Sequence, residues 1–328
     1  MSRDSVRYGR VPKRTRERME ENRVAAQVEN EQSMPEVETK EVAIYDIREM
    51  ENKELAIYDL TLTISQAHYT TCDYLEARSR NLEKKPAIFN LNLSDFNPNE
   101  RGNADSMEMH RITTWQYLAT YLTPCIQRLV EFAKRIPGFL KLSQDDQLRL
   151  IKTGFFEVWV MHVAKFSGPS ENFITFFDGS YITRQQIEVM FDYEFVVALF
   201  NFITSINSLE LNDIEIGLSS AVILLTSQRK EIGDPMAIEY IQDRLVEALK
   251  VTISKHHTND PNCFAILMMK LADLRALGDK HAEHLTWFQT RACKLNVPPL
   301  FAEIFDIPLA NRLPPQQQTT VVEKQSEQ

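Results

Sequence analysis

The chain has 328 residues, 43% of them apolar and 25% charged, which is ordinary for a globular protein and excludes a wholly disordered or fibrous one. Only 9 residues are glycine, well below the usual ~7%, so turn-rich sheet folds and glycine-rich phosphate loops are disfavoured and helices favoured. A net charge of −9 argues against nonspecific binding of polyanions by the whole surface. The length fits two domains, or one large helical domain with a tail at either end. Cys72, Cys125, Cys263 and Cys293 are scattered and form no C-x-x-C pair, which points away from a disulfide framework or a cysteine zinc cluster and towards a reducing compartment. The start, MSRDSVRYGR, lacks a signal-peptide core, and the longest uncharged run, Phe195 to Leu209, is too short to span a bilayer. A soluble protein without membrane contact is expected.

Residues 1–23 hold eight basic side chains against four acidic ones, a basic head on an acidic protein. Residues 24–53 are polar and Glu-rich and read as a linker, with AIYDI at 43–47 echoed by AIYDL at 56–60. Apolar positions at Ile57, Leu60, Ile64, Ala67 and Cys72 predict a helix over about 54–79. The Asn- and Pro-rich stretch 80–108 reads as a long loop. From Trp115 the helical period returns through Leu118, Leu122, Ile126, Leu129, Ala133 and Ile136, and Pro124 predicts a kink or a helix start within it. Ser143 is a candidate N-cap, and Leu148 to Phe166 is apolar on nearly every side, the pattern of a helix in the middle of a protein. Glu157 in that helix needs a buried cationic partner, and Arg229 and Arg275 are the candidates.

FITFFDGSYIT, 173–183, sets Asp178-Gly179 between two aromatic and β-branched runs and predicts one small hairpin. Helices follow at about 185–208, 212–227, 236–256 and 261–293, the last broken or bent near Gly278. A short amphipathic segment, Pro298 to Phe305, precedes a polar tail. His281-x-x-His284 and His256-His257 have no further ligand at metal spacing. The sequence contains no G-x-S-x-G, H-E-x-x-H, P-loop or dinucleotide fingerprint, so an enzyme is not expected.

Two segments carry the functional information: FAKRIPGFLKLSQDDQLRLIKTGFFEVW, 132–159, and PPLFAEIF, 298–305. In the second, Leu300, Phe301, Ile304 and Phe305 share one helical face with Glu303 at its edge. At these residues the chain resembles the ligand-binding domain of nuclear hormone receptors. Phe132, Ala133, Lys134, Phe139, Leu142, Asp146, Gln147, Leu150, Lys152 and Glu157 fall in register on the family signature. SQAHYTTCDYL, the hairpin and LADLRALGDKHAEHL at 271–285 extend the likeness over roughly residues 54–308. VEFAKRIPGF and LFAEIFDIP are most similar to the Rev-erb and ecdysone-induced early-puff orphan receptors.

The resemblance implies an all-α, three-layer antiparallel helical sandwich with one small hairpin. It divides the chain into a basic remnant of the DNA-binding domain's extension (1–23), a hinge (24–53), the ligand-binding domain (54–308) and a polar tail (309–328). It implies a nuclear transcription regulator whose groove takes L-x-x-L-L helices of coactivators and corepressors. Such a helix exposes N–H groups at one end and C=O groups at the other, so an acid and a base at opposite ends of the groove suit it. Glu303 and Lys134 would be that pair. Gln147, Ile151 and Lys152 would line the groove, with Leu300, Ile304 and Phe305 fixing the last helix across it. A solvated helix-face charge is the bland reading of each of Lys134, Lys152 and Glu303 alone.

The family's interior pocket, mapped onto this chain, gives Leu118, Cys125, Ile126, Leu129, Trp159, Val160, Phe176, Phe177, Phe195, Leu199, His281 and Leu285 as lining candidates for a small apolar ligand. The same residues at helical spacing also read as plain core, or as a pocket filled by its own aromatic side chains. Rev-erb-like relatives bind haem through a histidine that matches His281 and a cysteine that has no counterpart in 97–110. Cys125 and His110 are the substitutes this chain offers, and a haem-based gas or redox sensor is the alternative to a purely transcriptional module. The helix at 261–293, with Leu285, Phe288 and Ala292, is where the family dimerises, implying a homodimer or a retinoid X receptor heterodimer. Arg3, Arg7, Arg10, Lys13 and Arg14 resemble the extension that contacts flanking DNA and would give weak, salt-sensitive affinity; a nuclear-targeting or solvated basic tail reads equally well. The eight cysteines of the two zinc modules are absent from this sequence. A helical scaffold without a regulated last helix is the third reading.

Overall fold

Ser143 starts the helix on which the rest of the domain is built. In the computed structural model its Oγ accepts a hydrogen bond from the Asp146 amide at 3.0 Å, and the helix it caps runs from Gln144 to Phe166 with most of its side chains buried. The structure describes residues 36–87, 103–168, 171–291 and 294–308, with the backbone alone for 36–49 and 103–106. Within these, the helices are α1 (Glu36–Thr71), α2 (Glu76–Ser79), α3 (Asn103–Arg135), α4 (Gln144–Phe166), α5 (Arg184–Met190), α6 (Tyr193–Asn207), α7 (Asp213–Leu224), α8 (Pro235–His256), α9 (Cys263–Gln289) and α10 (Pro299–Ile304). The strands are β1 (Lys85–Pro86), β2 (Phe173–Thr175) and β3 (Ser180–Thr183), and a 3-10 turn spans Phe139–Lys141. The chain divides into two units, residues 1–56 and 57–328; the described part of the first is the opening stretch of α1.

In the larger unit, α4 forms the middle layer and packs on α3, α6, α7, α9 and β2, while α8 covers α7 and α9. That is the expected helical sandwich. Leu150, Phe155, Val158, Val160, Met161 and Val163 of α4 are each no more than 2% exposed, so the helix is apolar all round because it is surrounded.

The polar residues of α4 tie it to different neighbours. The carboxylate of Asp146 accepts hydrogen bonds from the amides of Gly233 (2.7 Å) and Asp234 (3.2 Å) just before α8. The Gly233 bond, against opposing burial, holds the Asp146 carboxyl below the ordinary aspartate range. Glu157 meets Arg229 in a bidentate pair, Nη1 to Oε1 at 2.8 Å and Nη2 to Oε2 at 3.1 Å, with Arg275 at 3.5 Å. Both expected partners are present. Burial pushes the Glu157 carboxyl up and Arg229 opposes that shift.

Several boundaries differ from the sequence expectation. Helix α1 begins at Glu36 and ends at Thr71, so part of the expected linker is helical and the segment after Thr71 turns into the separate α2. Glu, Lys, Met and Ala in 36–56 are good helix formers and need no apolar stripe to be so. Helix α3 starts at Asn103 and runs through Pro124 to Arg135; the bond lost at Pro124 is outweighed by the burial of Ala119, Leu122, Ile126 and Leu129 around it. The single helix expected over 185–208 is two, α5 and α6, separated at Phe191-Asp192, where Asp192 caps the Phe195 amide at 2.8 Å. Helix α9 is continuous, and Gly278 serves close approach, since a Cβ there would stand 2.8 Å from Glu157 Oε1.

The expected hairpin pairs Phe173 with Thr183 and Ile174 with Ile182, and β1, from the stretch read as loop, adds a parallel third strand to β3. Pro86 sits on that edge strand, where its missing N–H costs nothing. Gly179 has φ +83°, and a Cβ there would collide with the Glu83 carbonyl oxygen. The basic-arm residues Arg3, Arg7, Arg10, Lys13 and Arg14, Ala292, and the tail from 309 lie outside the described residues.

Two stability outcomes follow from these contacts. Arg229→Met takes the bidentate partner from Glu157 and leaves the buried carboxylate with Arg275 alone at 3.5 Å, and is expected to lower the unfolding free energy by about 3–5 kcal/mol, with partial recovery on adding Glu157→Leu. Urea denaturation checks this, and two losses that simply add would show the residues to be independent. Gly179→Ala, strained in both backbone and contact, is expected to cost more than ~1 kcal/mol in the same assay.

Candidate functional site

Helix α10 has six residues, too few to persist on its own, so its position is set by what it buries. Phe301, Ala302, Ile304, Phe305 and Ile307 are all buried against α3, α4 and α9. The Phe305 ring stands edge-on to Phe155 (5.9 Å between centroids) and to His281 (5.9 Å), and Phe301 lies 6.3 Å from Trp115. Two polar ties add to this. Gln289 Nε2 donates to the Phe305 carbonyl at 3.1 Å, and Lys152 Nζ pairs with Asp306, which turns the chain at φ +51°.

Around this helix the sequence-expected groove residues take distinct places. Glu303 is exposed and makes no ion pair among the described residues. Lys134, in the last turn of α3, is exposed and pairs with Glu131 at 3.0 Å. Leu300 is half-buried, Ile151 is buried, and the Gln147 amide donates to the Leu142 carbonyl at 2.8 Å, closing the turn between α3 and α4. The structure therefore joins Lys152 to Asp306 and leaves the acid of α10 and the base of α3 open to solvent on elements that pack together. Asp306 and Phe301 also hold α10 in place, and the expected groove set omits them. Phe301 shares the α10 face that the spacing shows; Asp306 lies past the helix and has no signal in the pattern.

The interior candidates divide between two small cavities and solid core. One cavity of about 20 Å³ is bounded by Leu118, Trp159, Phe195, Leu199 and His281, together with Leu122, Phe156, Phe191 and residues of the sheet and α5. A second, of about 30 Å³, is bounded by Cys125, Leu129 and Trp159 with His68, Cys72 and His162. Ile126, Val160 and Leu285 are packed core, Phe176 stacks on Tyr121 at 4.5 Å, and Phe177 is half-buried. Ligand sites of drug-sized molecules run to ~300–1,000 Å³, whereas ~10–15 Å³ holds a water. In this conformation the interior is filled by its own side chains.

His281 is central to that filling. Its ring stacks face to face on Phe156, with centroids 3.8 Å apart and planes within 6° of parallel, and is flanked by Phe191 at 5.9 Å. Burial drives its pKa down to about 3, so the imidazole is neutral. These residues do not fit a haem: the space beside the histidine is about 20 Å³, far too small for the macrocycle. Cys125 belongs to the other cavity, with its thiol pushed up to about 12 by burial. His110, the other expected substitute, is half-buried in the first turns of α3 and bounds neither cavity.

Leu285 and Phe288, expected where the family dimerises, face inward at 7% and 1% exposure; the outward face of α9 carries Met269, Ala272 and Ala276. No helix among the described residues is long and apolar enough to cross a membrane.

Comparison with known proteins agrees with this architecture. Residues 103–290, more than half the chain, match the ligand-binding domain of nuclear hormone receptors. The chain is 44% identical over 253 residues to ecdysone-induced protein 78C of Drosophila melanogaster, covering 76% of this chain and 28% of that protein. It is 37% identical to nuclear receptor subfamily 1 group D member 2 of Rattus norvegicus over 53% of this chain and 30% of that protein. With nuclear hormone receptor E75 of Metapenaeus ensis it shares 32% identity over 87% of this chain and 45% of that protein. The chain thus spans less than half the length of the curated relatives it matches. By the 103–290 match and the sandwich around α4, the chain belongs to the nuclear hormone receptor family, whose members are ligand-regulated transcription factors rather than enzymes.

Proposed function

We propose that this domain regulates transcription in the nucleus by binding L-x-x-L-L helices of coregulator proteins across α3, α4 and α10. The observation that carries this reading is the docked α10, with its apolar face buried, Glu303 left exposed on it, and Lys134 exposed at the end of α3, the helix on which α10 packs. The partner helix would offer its N-terminal amides to Glu303 and its C-terminal carbonyls to Lys134. The Lys134–Glu131 pair is surface-exposed and worth ~1 kcal/mol at most, so the lysine is free to exchange partners. Ile151, half-buried Val130 and the 41%-exposed Leu148 supply apolar surface on the adjoining helices.

Control by a small apolar ligand would act through His281. A molecule entering the 20 Å³ cavity must displace Phe156, Phe195 or His281, and His281 touches Phe305 of α10. Ligand entry and the seating of α10 would then be one event. Dimerisation, as a homodimer or with a retinoid X receptor, would use the outward face of α9, where Met269 is 68% exposed.

Glu303→Lys is expected to weaken binding of an L-x-x-L-L peptide at least ~10-fold, the loss of about 1.4 kcal/mol, with an unchanged thermal melt. Fluorescence anisotropy reads the first and calorimetry the second; unchanged affinity would sink the groove assignment. Phe301→Ala is expected to weaken the same peptide and also to raise amide exchange over residues 299–307, which Glu303→Lys should not do. For haem, the filled space beside His281 predicts no Soret band that disappears in His281→Ala.

A further inference from the structure

Beyond the groove and the aromatic interior, the second cavity is lined by side chains that a packed apolar core does not require. His68, in the last turn of α1, Cys72, the residue that follows that helix, and His162 of α4 each present a ligand atom, and those atoms all lie within 4.8 Å of one another. All three line the same cavity of about 30 Å³, with Cys125 and Tyr74 beside them. His68 is 1% exposed, and its Nε2 is buried without a hydrogen-bond partner. Leaving such a group unsatisfied is destabilising, so its retention at a cavity wall asks for an occupant.

We propose that His68, Cys72 and His162 form a metal site of the zinc class that clasps the end of α1 to the central helix α4. Two imidazoles and one thiol suit Zn²⁺ better than the hard cations, which take oxygen ligands. Zn–N bonds of ~2.0 Å and Zn–S bonds of ~2.3 Å place two nitrogens and one sulfur in a tetrahedral set roughly 3.3–3.5 Å apart. Drawing these atoms in from spacings within 4.8 Å to that range completes the three-ligand set. The fourth position opens to the cavity, where Tyr74 Oη and Cys125 Sγ stand 4.0 Å apart.

Ser220 Oγ, 2.9 Å from His162 Nε2, fixes the rotation of that ring in the way that outer hydrogen bonds orient ligating imidazoles. Both rings are ready to bind: burial lowers His68 to about 4 and His162 well below its ordinary value, so each keeps a lone pair at neutral pH. The Cys72 thiol is pushed up to about 12 by burial. Coordination replaces its S–H bond with a Zn–S bond, and one proton leaves to solvent for each ion bound.

The site is tested on the full 328-residue chain with Co²⁺ and Zn²⁺ as probes. One Co²⁺ per chain is expected, with intense tetrahedral d–d bands and a thiolate charge-transfer band in the near ultraviolet, all displaced by Zn²⁺. X-ray absorption of the zinc-loaded unaltered chain is expected to show one sulfur at about 2.3 Å and nitrogen donors at about 2.0 Å. Cys72→Ser should abolish the thiolate band, and His68→Gln should weaken zinc binding by at least ~10-fold, the effect of disturbing even an outer-shell partner. A shell of nitrogen and oxygen alone in the unaltered chain overturns the proposal, whatever the variants do. So does zinc binding that is unchanged in both variants, which would place the ion elsewhere, as at His256 and His257 around Glu215.

Discussion

The central helix must sit between two layers of apolar side chains while carrying a carboxylate in its middle, and the domain is organised around meeting that demand. Glu157 is 4% exposed, and an unpaired charge at that depth would cost more than most of its neighbours contribute. Arg229, from the segment after α7, supplies two hydrogen bonds to the carboxylate and is itself held by the carbonyls of Thr153 and Ile223. Arg275 reaches the same carboxylate from α9. Three elements are thereby brought to one point, and Asp146 holds the start of α8 in the same way one end of the helix away. Apolar burial drives the layers together without direction; these polar ties decide their register.

The second consequence of a crowded centre is that the interior and the regulated helix share side chains. Phe156 stacks on His281, His281 meets Phe305, and Phe305 is the last residue of the face that seats α10. A close-packed interior does not deform smoothly, so a side chain displaced at one end of this chain of rings has few places to go except toward the other. The neutral state of His281 matters here, because a charged imidazole could not remain between phenyl rings without a counter-ion.

How much of this the sequence discloses follows from the kind of signal each part leaves. The apolar surround of α4, the Asp178-Gly179 turn and the need of Glu157 for Arg229 or Arg275 are local or categorical, and all are present in the structure. The early start of α1 was hidden because good helix formers without an apolar stripe resemble linker. Strand β1 was hidden because Lys85 and Pro86 become a strand only by meeting β3, nearly a hundred residues away. The candidate site is legible to the same extent. The face of α10 with Glu303 at its edge shows in spacing and Lys134 only through the resemblance to the family signature, whereas Asp306 as the partner of Lys152 and the division of the interior into two cavities depend on distances that no periodicity encodes.

The docking of α10 is poised by magnitude as well as by placement. Phe301, Ile304, Phe305 and Ile307 are buried, and each contributes ~1.5–3 kcal/mol on leaving water. Ordering the segment costs ~1–2 kcal/mol for every residue fixed, and the nine residues from Pro299 to Ile307 bring the two sums to the same order. What remains to tip the balance is small: the Gln289 bond to the Phe305 carbonyl, the exposed Lys152–Asp306 pair, and whatever the groove is occupied by. A helix held by near-cancellation responds to a bound partner or to a repacked His281 with a full change of state, and a longer or more apolar α10 would lose that response by never leaving its seat.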